Sequence, residues 1–154
     1  MRVAPLAELS VPEIAALMAQ GRPWLPESSD YWFFRTFFSS TSFVVFADAV
    51  PAGGIIACRH QDHPGEIYVD QVAVHRAFRG RGIVEALMSA VEQRARELKC
   101  TRIWLSTNPE NPAVKVWPRL GYAQLRIQPD FKGPGKDRTI FEKRLATSAS
   151  EGSR

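Results

Sequence analysis

Hydrophobic positions recur along the chain with two periods, near 3.6 in some stretches and 2 in others, and the switches between them mark out the elements. Ser10-Val11-Pro12-Glu13 has the form of a capping box with proline in the first turn, predicting a helix to about Gln20 that Gly21 and Pro23 stop. Ser28-Ser29-Asp30 offers a cap for a second helix. Its residues 31–38, Tyr-Trp-Phe-Phe-Arg-Thr-Phe-Phe, carry more aromatic surface than one buried helix face needs, so part is expected to line a pocket. Two β-rich runs, residues 42–47 and 54–59, flank a hairpin connection at 48–53. A third strand over Glu66–Val74 follows the polar loop 61–65 and ends at a run of basic residues and glycines.

Ile83, Leu87, Val91 and Leu98, with Val84, Met88 and Ala95 beside them, give the clearest helical spacing, over residues 81–99. A strand at Arg102–Thr107 completes a strand, helix, strand unit, which normally means a right-handed parallel crossover. A short helix over residues 112–120 is closed by Gly121, and residues 122–127 and 139–145 read as two further strands. The expected class is α/β (α+β), one domain over residues 1–145, with a small polar tail at 146–154 expected to be disordered and no internal repeat.

Composition narrows the classes. The 154 residues, 45% hydrophobic and 23% charged, have the balance of one soluble globular domain. No apolar run approaches the length of a membrane span, and Glu8 and Glu13 break the N-terminal apolar stretch, so a secretory signal is not expected and the cytoplasm is. A net charge of +4 favours an anionic partner such as a phosphate-bearing cofactor. Nucleic acid is motivated only by an isoelectric point near 9.4, without a reading helix or aromatic-basic sheet motif. Cys58 and Cys100 have no CxxC spacing and read as buried thiols. His60, Asp62 and His63 share one polar loop with no distant third ligand, so no metal site is expected. His75 reads as a surface residue.

The segment that carries chemistry is Val72-Ala73-Val74-His75-Arg76-Ala77-Phe78-Arg79-Gly80-Arg81-Gly82-Ile83-Val84, where a strand passes through Arg-Gly-Arg-Gly into the longest helix. Gly80 and Gly82 let the backbone come close to a ligand, and successive N–H groups converge at a helix N-terminus that favours negative charge. Arg79 and Arg81 add positive charge suited to a diphosphate. Neither G-x-G-x-x-G nor G-x-x-x-x-G-K-[ST] occurs, which argues against the dinucleotide and P-loop devices.

Here the chain resembles the GNAT superfamily of acyl-CoA-dependent N-acyltransferases over residues 11–145. Arg79-x-x-Gly82-x-Val84 matches its R-x-x-G-x-[GA] signature after a V-x-V strand end, with Val84 where a small residue is usual. Residues 108–122, with Asn111, a short helix and Gly121-Tyr122, are similar to its second signature. More weakly, residues 39–84 look like diaminobutyrate acetyltransferases. The resemblance implies a mixed, mostly antiparallel sheet with flanking helices whose fourth and fifth strands splay apart around acetyl-CoA. Val72 and Val74 would hold the pantetheine arm, Arg79, Gly80, Arg81, Gly82, Ile83 and Val84 the diphosphate, and Asn111 would sit near the reaction centre.

The implied reaction is attack of a primary amine, on a small molecule or a peptide, at the thioester. Strand alternation puts Asp70 on the face of Val72 and Val74, as base or as anchor for the substrate ammonium, and Glu66 and Tyr68 share its parity. Many relatives carry a tyrosine acid in the short helix, but the matching positions here are Trp117 and Pro118, so the acid is unassigned; solvent, or Tyr31, Tyr68 or Tyr122, are the alternatives. Trp117 is expected to wall the cofactor or acceptor pocket and Tyr122 to enter the core. Trp24, Tyr31, Trp32, Phe34 and Phe38 are expected mostly in the core, with one or two of them, and Arg35, on the acceptor side. The loop 131–136 reads as a lid or as an ordinary hairpin connection. A non-catalytic acyl-CoA-binding module is the alternative function, and a homodimer is left open.

Overall fold

A computed structural model describes residues 1–21 and 30–146. Trp24, Pro23, the Ser28-Ser29 part of the expected cap, and residues 147–154 of the expected tail lie outside them. The strands are β1 (Arg2–Pro5), β2 (Phe43–Ala47), β3 (Val50–Arg59), β4 (Glu66–Val74), β5 (Arg102–Thr107), β6 (Ala123–Gln128) and β7 (Arg138–Arg144), and the helices α1 (Val11–Ala19), α2 (Tyr31–Phe37), α3 (Ile83–Glu97) and α4 (Val116–Arg119). One seven-stranded sheet runs in the order β1-β2-β3-β4-β5-β7-β6, antiparallel everywhere except between β4 and β5.

The sheet separates two cores. Leu6, Ile14, Met18, Val44 and Ile56 gather under α1 and α2, while Ile55, Ile67, Leu87, Val91, Ile103 and Phe141 gather under α3 and α4. The capping box is present: Ser10 Oγ accepts from Glu13 N at 3.3 Å and Glu13 Oε1 accepts from Ser10 N at 2.9 Å. Those bonds hold the Glu13 carboxyl below its usual range.

Three readings change. β1 is an additional strand, so the third predicted strand is the fourth in the sheet. β3 starts at Val50 rather than residue 54, leaving only a two-residue turn in which Asp48 takes φ 54°. Its glycines are set by neighbours: a Cβ on Gly53 would run into Ile83 of α3, and one on Gly54 would lie 2.7 Å from Met18 Cε. Those close approaches seat the start of α3 and the body of α1 on opposite faces of β3. The helix expected at residues 112–120 is a 3-10 turn, Pro112–Lys115, followed by α4. Among the described residues no group of His, Cys, Asp and Glu could hold a metal ion, and no helix is long and apolar enough to cross a membrane.

Candidate active site

The site begins where two parallel strands part. β4 and β5 pair from Glu66↔Arg102 to Val69↔Leu105 and no further, although β4 runs on to Val74 and β5 to Thr107. On its other side β4 stays bonded to β3 as far as Val74↔Gly53. Backbone groups on the β5 side of residues 70–74 therefore have no strand partner, an open edge of the kind that accepts an extended amide-bearing ligand.

A bulge marks the start of this edge. Ile56 pairs with Gln71 and Ala57 with Val69, which leaves Asp70 as an extra residue and resets the alternation of side chains. Ile67 and Val69 before it, and Val72 and Val74 after it, all pack against the α3 core, whereas Ala73 packs against the α1 core. The parity expectation is thus corrected: Asp70 does not share a face with Val72 and Val74. Its contacts lie toward α2 and β3. Gln71 Nε2 donates to Asp70 Oδ2 at 3.2 Å, Tyr31 Oη donates to Gln71 Oε1 at 3.1 Å, and burial, followed by the Asp70 charge, pushes the Cys58 thiol up.

Tyr68 points the same way, its ring 4.6 Å from Trp104 and its hydroxyl 2.9 Å from Ser106 Oγ. Ser106 stands one residue past the last β4–β5 pair, so this hydroxyl bridge closes the bottom of the gap. Glu66 is corrected. It sits at the far end of β4, paired at 3.2 Å with Arg102, which also bonds Glu142 and stacks over Trp104.

Two cavities follow the open edge in succession. The first, about 150 Å³, is lined by Asp70, Gln71, Val72, Ser106, Asn111 and Trp117 with their neighbours. The second, about 390 Å³, is lined by Val74, Arg79, Gly80, Gly82, Val84 and Arg119 with theirs. At the second, Gly80 and Gly82 both take φ 76°, and Gly82 caps α3 with no side-chain bond, so the first-turn N–H groups face the cavity mouth without a competing cap. A Cβ on Gly80 would meet nothing within 4 Å; glycine is required there by conformation, not by space. Val84 packs its side chain against the α3 core, leaving its N–H in place. Arg81 lies over the Phe78 ring at 5.4 Å, and Arg79 Nη2 donates to Gln20 O at 3.1 Å, tying the loop to the end of α1.

Asn111 caps the 3-10 turn through Ala113 N at 2.9 Å while facing the first cavity. Trp117, 7% exposed, lines the same cavity and meets Tyr122 edge-on at 6.1 Å. Burial pushes the Tyr122 hydroxyl far above its usual range, with the Glu92 charge adding to the shift, and the Tyr122 side chain lies in the α3 core. The corner behind Trp117 is held by a pair that the sequence reading did not single out: Lys143 pairs with Glu92 and donates to Leu120 O at 3.1 Å. Ser106 and Gln71 were also passed over as site residues. For Ser106 a signal existed, in its parity with Trp104 on a strand parallel to β4.

The acceptor candidates divide. Tyr31 reaches the bulge through Gln71. Arg35 does not reach the cleft: its guanidinium donates to Leu9 O and Ala7 O at 2.7 Å each, pinning α2 to the start of α1. Among the described residues Trp32, 53% exposed, meets the rings of Phe33 and Phe37 and does not line the cleft. Phe34 and Phe38 pack in the α1 core. In the 131–136 loop, Asp130 Oδ1 accepts from Gly135 N at 2.7 Å and Arg138 stacks on Phe131 at 3.4 Å. His75 is half-buried and caps its own turn through Ala77 N, and His60 Nδ1 accepts from Asp62 N and His63 N, each at 3.1 Å.

Comparison with known proteins agrees with this fold. The ribosomal-protein-S18-alanine N-acetyltransferase of Escherichia coli superposes with a TM-score of 0.77 at 16% identity, covering 96% of this chain and 95% of that one. An aminoglycoside 6'-N-acetyltransferase complexed with coenzyme A gives 0.81 at 12% identity, over 95% and 98%. In sequence, an uncharacterized N-acetyltransferase of Bacillus subtilis is 32% identical over 68 residues, a match spanning 43% of each chain. The model of the acetyltransferase (GNAT) family matches residues 11–122, most of the length, and the chain belongs to that family.

Proposed function

We propose that this protein moves an acetyl group from acetyl-CoA to a primary amine of a small molecule or a peptide by direct attack on the thioester. The observation that carries the reading is the open edge of β4 past Val69↔Leu105, with one cavity along it and a second at the uncapped start of α3. The pantetheine arm, with its two amides, fits beside residues 70–74 as an added strand. The diphosphate fits the main-chain amides of residues 80–84, with Arg79 and Arg81 supplying positive charge.

That placement leaves the thioester near the bulge, with Trp117 and Asn111 on one side and Asp70 on the other. The amine enters from the α2 side as an ammonium, and the Asp70 carboxylate takes its proton. The nitrogen then bonds the acyl carbon while the carbon–sulfur bond breaks, and it gives up its second proton to solvent as the amide forms. Trp117 and Pro118 offer no acid, so the leaving thiolate takes its proton from solvent. Tyr68 and Ser106 bound the acyl end of the cleft. Glu66, neutralised by Arg102, takes no part.

The test is thiol release from acetyl-CoA with 2,4-diaminobutyrate, an aminoglycoside, spermidine and an alanine-terminated peptide as acceptors. Release with at least one is expected. Tight acetyl-CoA binding with no release on any amine would overturn the reading and favour a non-catalytic acyl-CoA-binding module, to which the departures at Val84 and Trp117 also point.

A further inference from the structure

The geometry points to Tyr31 and Gln71 as positioning residues for Asp70, acting together as a hydrogen-bonded strut that runs from α2 into the bulge of β4. This rests on the proposed role of Asp70 as the group that receives the amine's proton. Among the described residues Asp70 makes no ion pair, and as the extra residue of a bulge it has no place in the β3 ladder to fix its direction. Among the described residues its one hydrogen bond is from Gln71 Nε2 to Oδ2 at 3.2 Å, which leaves Oδ1 for the incoming amine.

An amide can orient a carboxylate only if its own two ends are told apart. A flipped Gln71 would set its oxygen against the carboxylate and its NH₂ against the hydroxyl. The Tyr31 hydroxyl, donating to Oε1 at 3.1 Å, selects the orientation in which Nε2 faces Asp70. Tyr31 is itself held, its ring buried in the α1 core and edge-on to Phe34 at 6.0 Å. Arg35, on the next turn of α2, anchors the helix to the carbonyls of Ala7 and Leu9. The direction of Asp70 is therefore set from the far side of α2, through two hydrogen bonds, while the strand that carries it leaves it free.

Tyr31→Phe keeps the ring and removes the donor; Gln71→Met keeps the length and removes both ends of the amide. Each is checked for an unchanged thermal unfolding midpoint. kcat and KM for acetyl-CoA are then measured with 2,4-diaminobutyrate, the aminoglycoside, spermidine and the alanine-terminated peptide. Gln71→Met is expected to lower kcat about tenfold, the scale of one charge-assisted hydrogen bond, and Tyr31→Phe to lower it less, both with KM for acetyl-CoA unchanged. In an Asp70→Asn background neither change should lower kcat further, because the strut works only through that carboxylate. Unchanged kcat in both single variants would overturn the inference, as would losses that persist in full beside Asp70→Asn. Wild-type kcat in Asp70→Asn itself would remove the role proposed for Asp70, and the strut with it, a different failure read from a different variant.

Discussion

Over residues 66–69 β4 is bonded on both sides, to β3 and to β5; past the unpaired Asp70, residues 71–74 are bonded to β3 alone. Both halves are rich in apolar residues and both contribute to the α3 core, through Ile67 and Val69 in one and Val72 and Val74 in the other. They differ in the backbone. The first half joins its parallel neighbour and is part of what holds the sheet together. The second, after an extra residue at Asp70, keeps its side chains packed while its main chain faces a cleft. An open main-chain edge is thus made by withholding a strand partner, with little loss of core.

Substitutions can separate the two halves. The largest effect is expected at the end of the open path: Gly80→Val with Gly82→Val forces two β-branched residues to φ 76° and displaces the amides of the α3 start. Acetyl-CoA affinity by calorimetry should fall about 10³-fold, since each left-handed residue costs about 1–2 kcal/mol before any lost contact is counted. In the zipped half, Ile67→Ala should cost about 3 kcal/mol in urea unfolding while leaving acetyl-CoA affinity intact; Val72→Ala, only partly buried, should cost less. If Val72→Ala destabilised more than Ile67→Ala, the division between halves would be wrong. Asp70→Asn should lower kcat about 10²-fold with acetyl-CoA affinity unchanged.

The smallest effect is at Cys58. Its thiol is raised by burial and then by Asp70, so less of it is thiolate at a given pH, and alkylation should set in only at higher pH than for an unhindered cysteine. Asp70→Asn should bring that onset down slightly, a shift read by mass mapping of the labelled thiol. No shift would mean that the bulge does not hold the carboxylate near β3.

Where periodicity is long or the cue is local, the sequence was enough. The capping box at Ser10, the amphipathic run of α3 and the glycine turn before it are legible because the residues that decide them are neighbours in the chain. Other features depend on distant partners. β1 is four residues long and is a strand only because β2 pairs with it. Pro51 and Gly53 read as part of a hairpin connection, yet Gly53 and Gly54 serve the close approach of Ile83 and Met18, which no local pattern announces. The bulge is a matter of register against β3, so counting residues by twos carried Asp70 to the wrong face. Arg35 looks like a substrate ligand until the carbonyls of Ala7 and Leu9 are brought to it.

Amide hydrogen exchange with and without saturating acetyl-CoA reads both halves of β4 in one experiment. Slowed exchange at residues 70–74 and 80–84, with residues 66–69 unchanged, is the result expected if the open edge takes the arm of the co-substrate as a strand and the α3 start takes its diphosphate. Unchanged exchange at residues 70–74 while acetyl-CoA is bound would contradict it.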